Sequence, residues 1–150
     1  MEKSELVKWS SALSVGVKVL DDQHQELIRL TNDLFNHCVG DAESEKLYLS
    51  KVIQGTRNYI KVHFSTEEEL LIRTKFPDYR EHKREHDAFV LTVVEQVRNI
   101  KDQKFSLIVF TRYLKDWILT HIAVSDKKYA GYFKSISQYA GITGSVPVDP

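Results

Sequence analysis

Five of the six histidines in this chain fall into a pattern with one glutamate and one aspartate: His24, His63-x3-Glu67, His82-x3-His86 and His121-x4-Asp126. Imidazole suits iron, zinc, copper or nickel, and carboxylate oxygen adds the hard character that suits iron or manganese. Seven such donors are too many for one tetrahedral zinc. They suit two metal ions that share two bridging carboxylates and leave coordination for a small molecule. Taken singly, each pair has an ordinary reading. His63 and Glu67 would make a surface pair, and His82/His86 lies in the charged string REHKREHD. Taken together, the five histidines and two acids would have to lie by accident on the inward sides of four helices. His37 stands outside the set.

The elements that must carry these donors are helices. Residues four apart share one face of an α-helix, so His63/Glu67 and His82/His86 can each address one centre. Apolar residues recur at helical spacing in four stretches. The first opens near Asp21 and Asp22, which supply an N-cap signal, runs through Leu27, Ile28, Leu30, Leu34, Phe35 and Cys38, and ends at Gly40. The second spans about Glu43 to Thr74, with Leu47, Val52, Ile53, Tyr59, Ile60, Phe64, Leu70 and Leu71 inward. Gly55 interrupts it at a cost of roughly 1 kcal/mol relative to alanine. Phe76-Pro77-Asp78 breaks the pattern. The third spans about Asp78 to Ile100, with Phe89, Val90, Val93, Val97 and Ile100 inward. The fourth runs from about Phe105 past Val124, with Ile108, Val109, Leu114, Trp117, Ile118 and Ile122 inward. A short fifth helical segment is expected at Tyr129–Tyr139.

The expected fold is an all-α, antiparallel up-down-up-down four-helix bundle. Residues 1–20 form an extended arm, in which Trp9, Leu13, Val15, Val17 and Leu20 strap across the core. Residues 141–150 read as a flexible tail. The spacing of the fourth-helix pair adds a local expectation. Residues five apart diverge by roughly 140° on a straight α-helix. If His121 and Asp126 both face the metals, the helix must loosen or end between Ala123 and Asp126, and a π-type turn would do this. A regular helix with the two residues approaching the centre from opposite sides is the alternative.

Bulk composition excludes other classes. The 150 residues suggest one domain spanning 1–150. Twenty-one basic residues balance twenty-one acidic ones, so charge gives no reason to expect nucleic acid or an anionic membrane as partner. The single Cys38 cannot form an internal disulfide. No leader and no long uncharged apolar run is evident, so a cytoplasmic location without membrane insertion is expected.

The segments DDQH at 21–24, HFSTEE at 63–68, FPDYREHKREHDAF at 76–89 and WILTHIAVSDKKY at 117–129 resemble the hemerythrin family. The single-domain bacterial form is the nearest match, and Trp9 with Val15-Gly16-Val17 is similar to the family's opening arm. The resemblance covers roughly residues 9–133 and fills all seven ligand positions. It implies a centre of two non-haem iron ions with an oxo or hydroxo bridge. His82, His86 and His121 would hold one iron and His24 and His63 the other, with Glu67 and Asp126 bridging. The second iron would be one ligand short, and dioxygen would bind there. Leu27, Phe64, Trp117 and Ile118 resemble the apolar pocket of the family; Gln23 and Tyr129 also match family positions.

The function implied is reversible dioxygen binding, for carriage, storage or delivery. Two alternatives are an oxygen or redox sensor acting through a partner protein, and a di-iron peroxidase or nitric-oxide scavenger. The nitrogen-rich donor set favours binding over enzymatic oxidation. It lacks the Glu-x-x-His pattern of the oxidising di-iron carboxylate bundles, and fewer carboxylates stabilise high-valent iron less.

Overall fold

The computed structural model of the chain describes residues 4–38 and 41–139, and the regular structure among these is all helical. Four rods make an antiparallel bundle. The first is α1, Lys18–His37. The second joins α2 (Ala42–Tyr59), a π-helical stretch (Ile60–Phe64) and α3 (Ser65–Arg73) without interruption. The third is α4, Tyr79–Lys101. The fourth joins α5 (Leu107–Trp117), a second π stretch (Ile118–Ser125) and α6 (Asp126–Tyr139). α1 packs on α2 and α5, and α3 packs on α4. The expected C-terminal helical segment is therefore present, but it continues the fourth rod rather than standing apart. Gly40 and the 141–150 tail lie outside the described residues.

The arm packs with Leu13, Val15 and Val17 buried and Trp9 half-buried, but it is shorter than the expected 1–20: α1 begins at Lys18, and Leu20 is buried as a helical residue. The arm's fastening comes from α1. Asn32 accepts from the backbone N–H groups of Leu6 and Val7 at 2.8 and 2.9 Å and donates to the Val7 carbonyl at 2.9 Å. Asp21 does not cap α1, which already begins at Lys18. Its carboxylate accepts instead from Ser14 Oγ and from Val15 N, tying down the turn at Gly16, whose φ of +76° suits a residue without a side chain. The cost of Gly55 has a reason too. A Cβ there would meet Leu30 at 3.3 Å, so the glycine lets α1 and α2 approach closely.

Two inward assignments do not hold. Leu47 is 81% exposed and Val109 is 53% exposed. The buried stripe of α2 follows Leu49, Val52, Thr56 and Tyr59, and that of α5 follows Leu107, Phe110, Thr111 and Leu114. Leu47 and Val109 are out of phase with these helical repeats.

The core has two apolar layers. One gathers Leu27, Tyr59, Phe64, Phe89, Leu114, Trp117, Ile118, Ile122 and their neighbours. The other gathers Val15, Val17, Leu20, Leu70, Leu71, Phe76, Tyr129 and Phe133. On every rod a change of layer brackets chemistry-bearing residues. His24 lies between Leu20 and Leu27, His63 and Glu67 between Tyr59 and Leu70, His82 and His86 between Phe76 and Phe89, and His121 and Asp126 between Ile118 and Tyr129. The polar residues thus form a disc sealed on both sides.

Candidate metal centre

All seven donors expected from the sequence converge in this disc, each at most 4% exposed. They form two groups whose ligand atoms lie within 4.8 Å of one another. One is Glu67, His82, His86 and His121; the other is His24, His63, Glu67 and Asp126. The carboxylates link the groups. Glu67 Oε1 is 2.6 Å from His82 Nε2 and 3.1 Å from His86 Nε2. Its Oε2 is 3.0 Å from His63 Nε2 and 3.5 Å from His24 Nε2. Asp126 repeats the division. Oδ1 is 3.0 Å from His121 Nε2 and 3.3 Å from His82 Nε2, while Oδ2 is 3.1 Å from His24 Nε2.

Local backbone geometry makes this possible. A π turn hydrogen-bonds i to i+5 and so returns residues five apart to one face. The π stretch Ile118–Ser125 contains His121 and ends against Asp126, which is the loosened helix rather than the regular one of the two alternatives. It begins earlier than expected, at Ile118. The π stretch Ile60–Phe64 was not foreseen. It turns Tyr59 and Phe64, also five apart, into one apolar layer with rings in edge contact at 5.5 Å.

The outer ring nitrogens fix which lone pairs point inward. His63 Nδ1 lies 2.8 Å from Gln23 Oε1, and Gln23 Nε2 donates to Thr66 Oγ1. His86 Nδ1 lies 2.8 Å from Glu68 Oε1. His121 Nδ1 donates to Glu85, which Ser125 Oγ also engages. With Nδ1–H donating outward, each Nε2 carries a lone pair toward the disc. Yet His24 and His63 bring their Nε2 atoms to 3.1 Å, and His86 and His121 to 3.2 Å. Such close ring nitrogens need either a proton shared between them or a metal ion that takes both lone pairs. Neither oxygen of the fully buried Asp126 has a well-formed hydrogen bond. A donor set of five imidazoles and two carboxylates in two overlapping groups fits a pair of transition-metal ions.

The electrostatics carry the same signature. Burial disfavours the charged form of both carboxylates, but the surrounding imidazoles hold Glu67 well below the ordinary range and lower Asp126 as well. Burial likewise opposes protonation of His24 and His121. Asp126 and Glu67 outweigh it, pushing His24 up to about 9 and, with help from Glu85, His121 up to about 11. His86 is raised too, while burial wins at His63 and lowers it. Without metal, the two carboxylates recruit protons as their counter-charge.

Glu68, Glu85 and Ser125 were not singled out from the sequence. Glu68 and Glu85 each directly adjoin a donor in the chain (Glu67 and His86), but each serves a histidine on another rod, which spacing along one helix does not reveal. Tyr129 has a definite contact: its hydroxyl donates to Glu67 Oε2 at 2.8 Å. Leu27, Phe64, Trp117 and Ile118 all lie in one apolar layer beside the cluster. Phe64 lies flat against His86 at 3.8 Å and Trp117 against His121 at 4.0 Å.

Comparison with known proteins agrees with this geometry. The family model described as the hemerythrin HHE cation-binding domain matches residues 15–133. The chain belongs to the hemerythrin family. A bacteriohemerythrin of Stenotrophomonas maltophilia is 29% identical over 136 residues, covering 90% of this chain and 87% of that protein. A hemerythrin-like protein of Naegleria gruberi is 31% identical, covering 82% and 90%. A myohemerythrin of Sipunculus nudus is 29% identical, covering 82% and 90%. The crystal structure of a wild-type hemerythrin superposes with a TM-score of 0.71 at 26% identity, covering 84% of this chain and 96% of that one. For a hemerythrin, the family fold implies oxygen binding at a non-haem di-iron centre, and this cluster is consistent with one. No described helix is long and apolar enough to cross a membrane.

Proposed function

We propose that this hemerythrin binds dioxygen reversibly at two non-haem iron ions and serves in carriage, storage or delivery rather than as an enzyme. One observation carries the reading: Glu67 and Asp126 each turn one oxygen to the His82/His121 side of the disc and the other to the His24 side. A carboxylate divided in this way is suited to bridging. On this reading His82, His86 and His121 hold one iron, His24 and His63 the other, and Glu67 and Asp126 span both. Bound there, two irons linked by an oxo or hydroxo bridge would supply the electrons for reversible oxygen binding.

The chain's own part is orientation and exclusion. Gln23, Glu68 and Glu85 keep three imidazoles in the tautomer with Nε2 inward. Tyr129 holds the bridging Glu67 by its Oε2. Three histidines against two make the His24/His63 side the one with coordination to spare. Leu27, Phe64, Trp117 and Ile118, all buried, support an apolar pocket that keeps bulk water and anions from the centre. The test is to reduce the purified protein without air, admit oxygen, then remove it while following visible absorption. Absorption that appears with oxygen and disappears on its removal supports the proposal. Irreversible oxidation in the first cycle, or turnover with peroxide, would favour an enzyme instead.

A further inference from the structure

The apolar layer over the cluster holds two polar groups that nothing among the described residues satisfies. The Tyr59 hydroxyl and the Trp117 indole N–H are both buried without a hydrogen-bond partner. Their rings cover different halves of the disc. Tyr59 lies against His63 at 4.8 Å and 16°, and Trp117 against His121 at 4.0 Å and 10°. Both rings pack on the same pair of phenylalanines, Tyr59 at 5.5 and 6.2 Å and Trp117 at 6.0 and 4.5 Å from Phe64 and Phe89. The stack on His63 sets the Tyr59 ring beside the cluster. The surrounding side chains are apolar: Phe64, Phe89 and Ile118 belong to the same layer.

A buried hydroxyl without a partner is a standing cost that phenylalanine would avoid, and the same holds for the indole N–H. Two such donors in one layer, over a cluster that has coordination to spare, lack only an acceptor. We propose that the Tyr59 hydroxyl and the Trp117 N–H form a hydrogen-bonding subsite for a small acceptor ligand, of the size and charge of azide, bound at the His24/His63 side of the centre. The proposal rests on the metal reading above and amends it. The pocket is apolar except for two donors that select ligands able to accept a hydrogen bond over those that cannot. Tyr59 is then a specificity-determining residue.

The test uses the iron-loaded chain and its Tyr59→Phe variant. Iron content is measured first, then azide is titrated into the oxidised protein and followed by visible absorption. The expected result is unchanged iron content with azide affinity lowered roughly 5–10-fold, the loss of about one hydrogen bond. The metal-free variant should melt at the parent's temperature or above it, because the orphan hydroxyl is gone. Unchanged azide affinity would overturn the subsite. So would a lower melting temperature of the metal-free variant, which would show that the hydroxyl has a structural partner. A parent chain that takes up no iron defeats the metal reading itself and this proposal with it, and the iron measurement shows that before azide is added.

Discussion

Replacing Tyr129 with phenylalanine removes one atom from a sealed site. The Tyr129 hydroxyl donates to Glu67 Oε2 at 2.8 Å, and both residues are fully buried. The ring stays, so its contacts with Phe76 and Phe133 survive and no large cavity opens. What is lost is a hydrogen bond to a charged acceptor, worth about 1.5–3 kcal/mol. For a chain of this length that corresponds to roughly 3–12 °C in melting temperature. Glu67 is also left freer to turn, so a chelator should strip iron about tenfold faster, in line with the loss of a group that orients a ligand. Tyr132→Phe is the control. Its hydroxyl donates to the Thr74 carbonyl at 2.6 Å, away from the cluster and toward the surface. That neutral bond is worth about 1 kcal/mol, and its loss should leave iron release unchanged. Calorimetry and chelator-challenge kinetics on the two variants check this. Equal iron release from both, or a Tyr129→Phe protein as stable as the parent, would refute the role given to Tyr129.

Three further predictions follow from the same geometry. Leu27→Ala opens a cavity where Leu27 is 1% exposed; it should destabilise by about 2–5 kcal/mol and admit water and anions, so autoxidation should be faster than in the parent, followed by visible absorption. Asp126→Asn should lower iron occupancy, since an amide carries no bridging charge. His37→Asn should not, because His37 is exposed and stacks on Tyr48 instead; iron analysis of the two distinguishes them. Stability and metal affinity should respond oppositely to pH. In the metal-free protein, His24 and His121 rise from 6.5 to about 9 and about 11, so their contribution is complete below about pH 6.5 and fades as pH climbs through those values. The lowered Glu67 and Asp126 contribute above their unfolded values of 4.5 and 3.8, a contribution lost at lower pH. Metal-free stability should therefore peak between these ranges. Iron affinity should instead increase above pH 6.5, because metal must displace those protons. Melting curves and iron titrations across pH 5 to 9 would show the two trends crossing.

The donor set was legible because each of its members sits on a helix whose apolar phase is set by a long stripe, and because a clustered histidine is rare enough to notice. The i,i+5 spacing of His121 and Asp126 pointed to a local break in the fourth rod, because the two diverge by roughly 140° on a straight α-helix, but it left a regular helix meeting the centre from two sides as the alternative. The stretch at Ile60–Phe64 gave no such warning: His63 and Glu67 have ordinary i,i+4 spacing, and the residues five apart, Tyr59 and Phe64, are merely apolar. Glu68 and Glu85 were hidden for a different reason. Their partners, His86 and His121, lie on neighbouring rods, and only packing brings them together. Leu47 and Val109 misled because helix phase cannot be fixed from apolar identity alone when the buried stripe includes Thr56 and Thr111. Asp21 misled because its carboxylate serves the arm rather than the end of α1.

The central claim is that two metal ions share the Glu67 and Asp126 carboxylates. Anomalous diffraction from crystals of the iron-loaded protein, recorded on either side of the iron edge, tests it most directly. The account predicts two iron peaks, one in bonding range of His82, His86 and His121, the other in bonding range of His24 and His63, with both carboxylates between them. A single peak, or a second peak bonded by neither Glu67 nor Asp126, would contradict it.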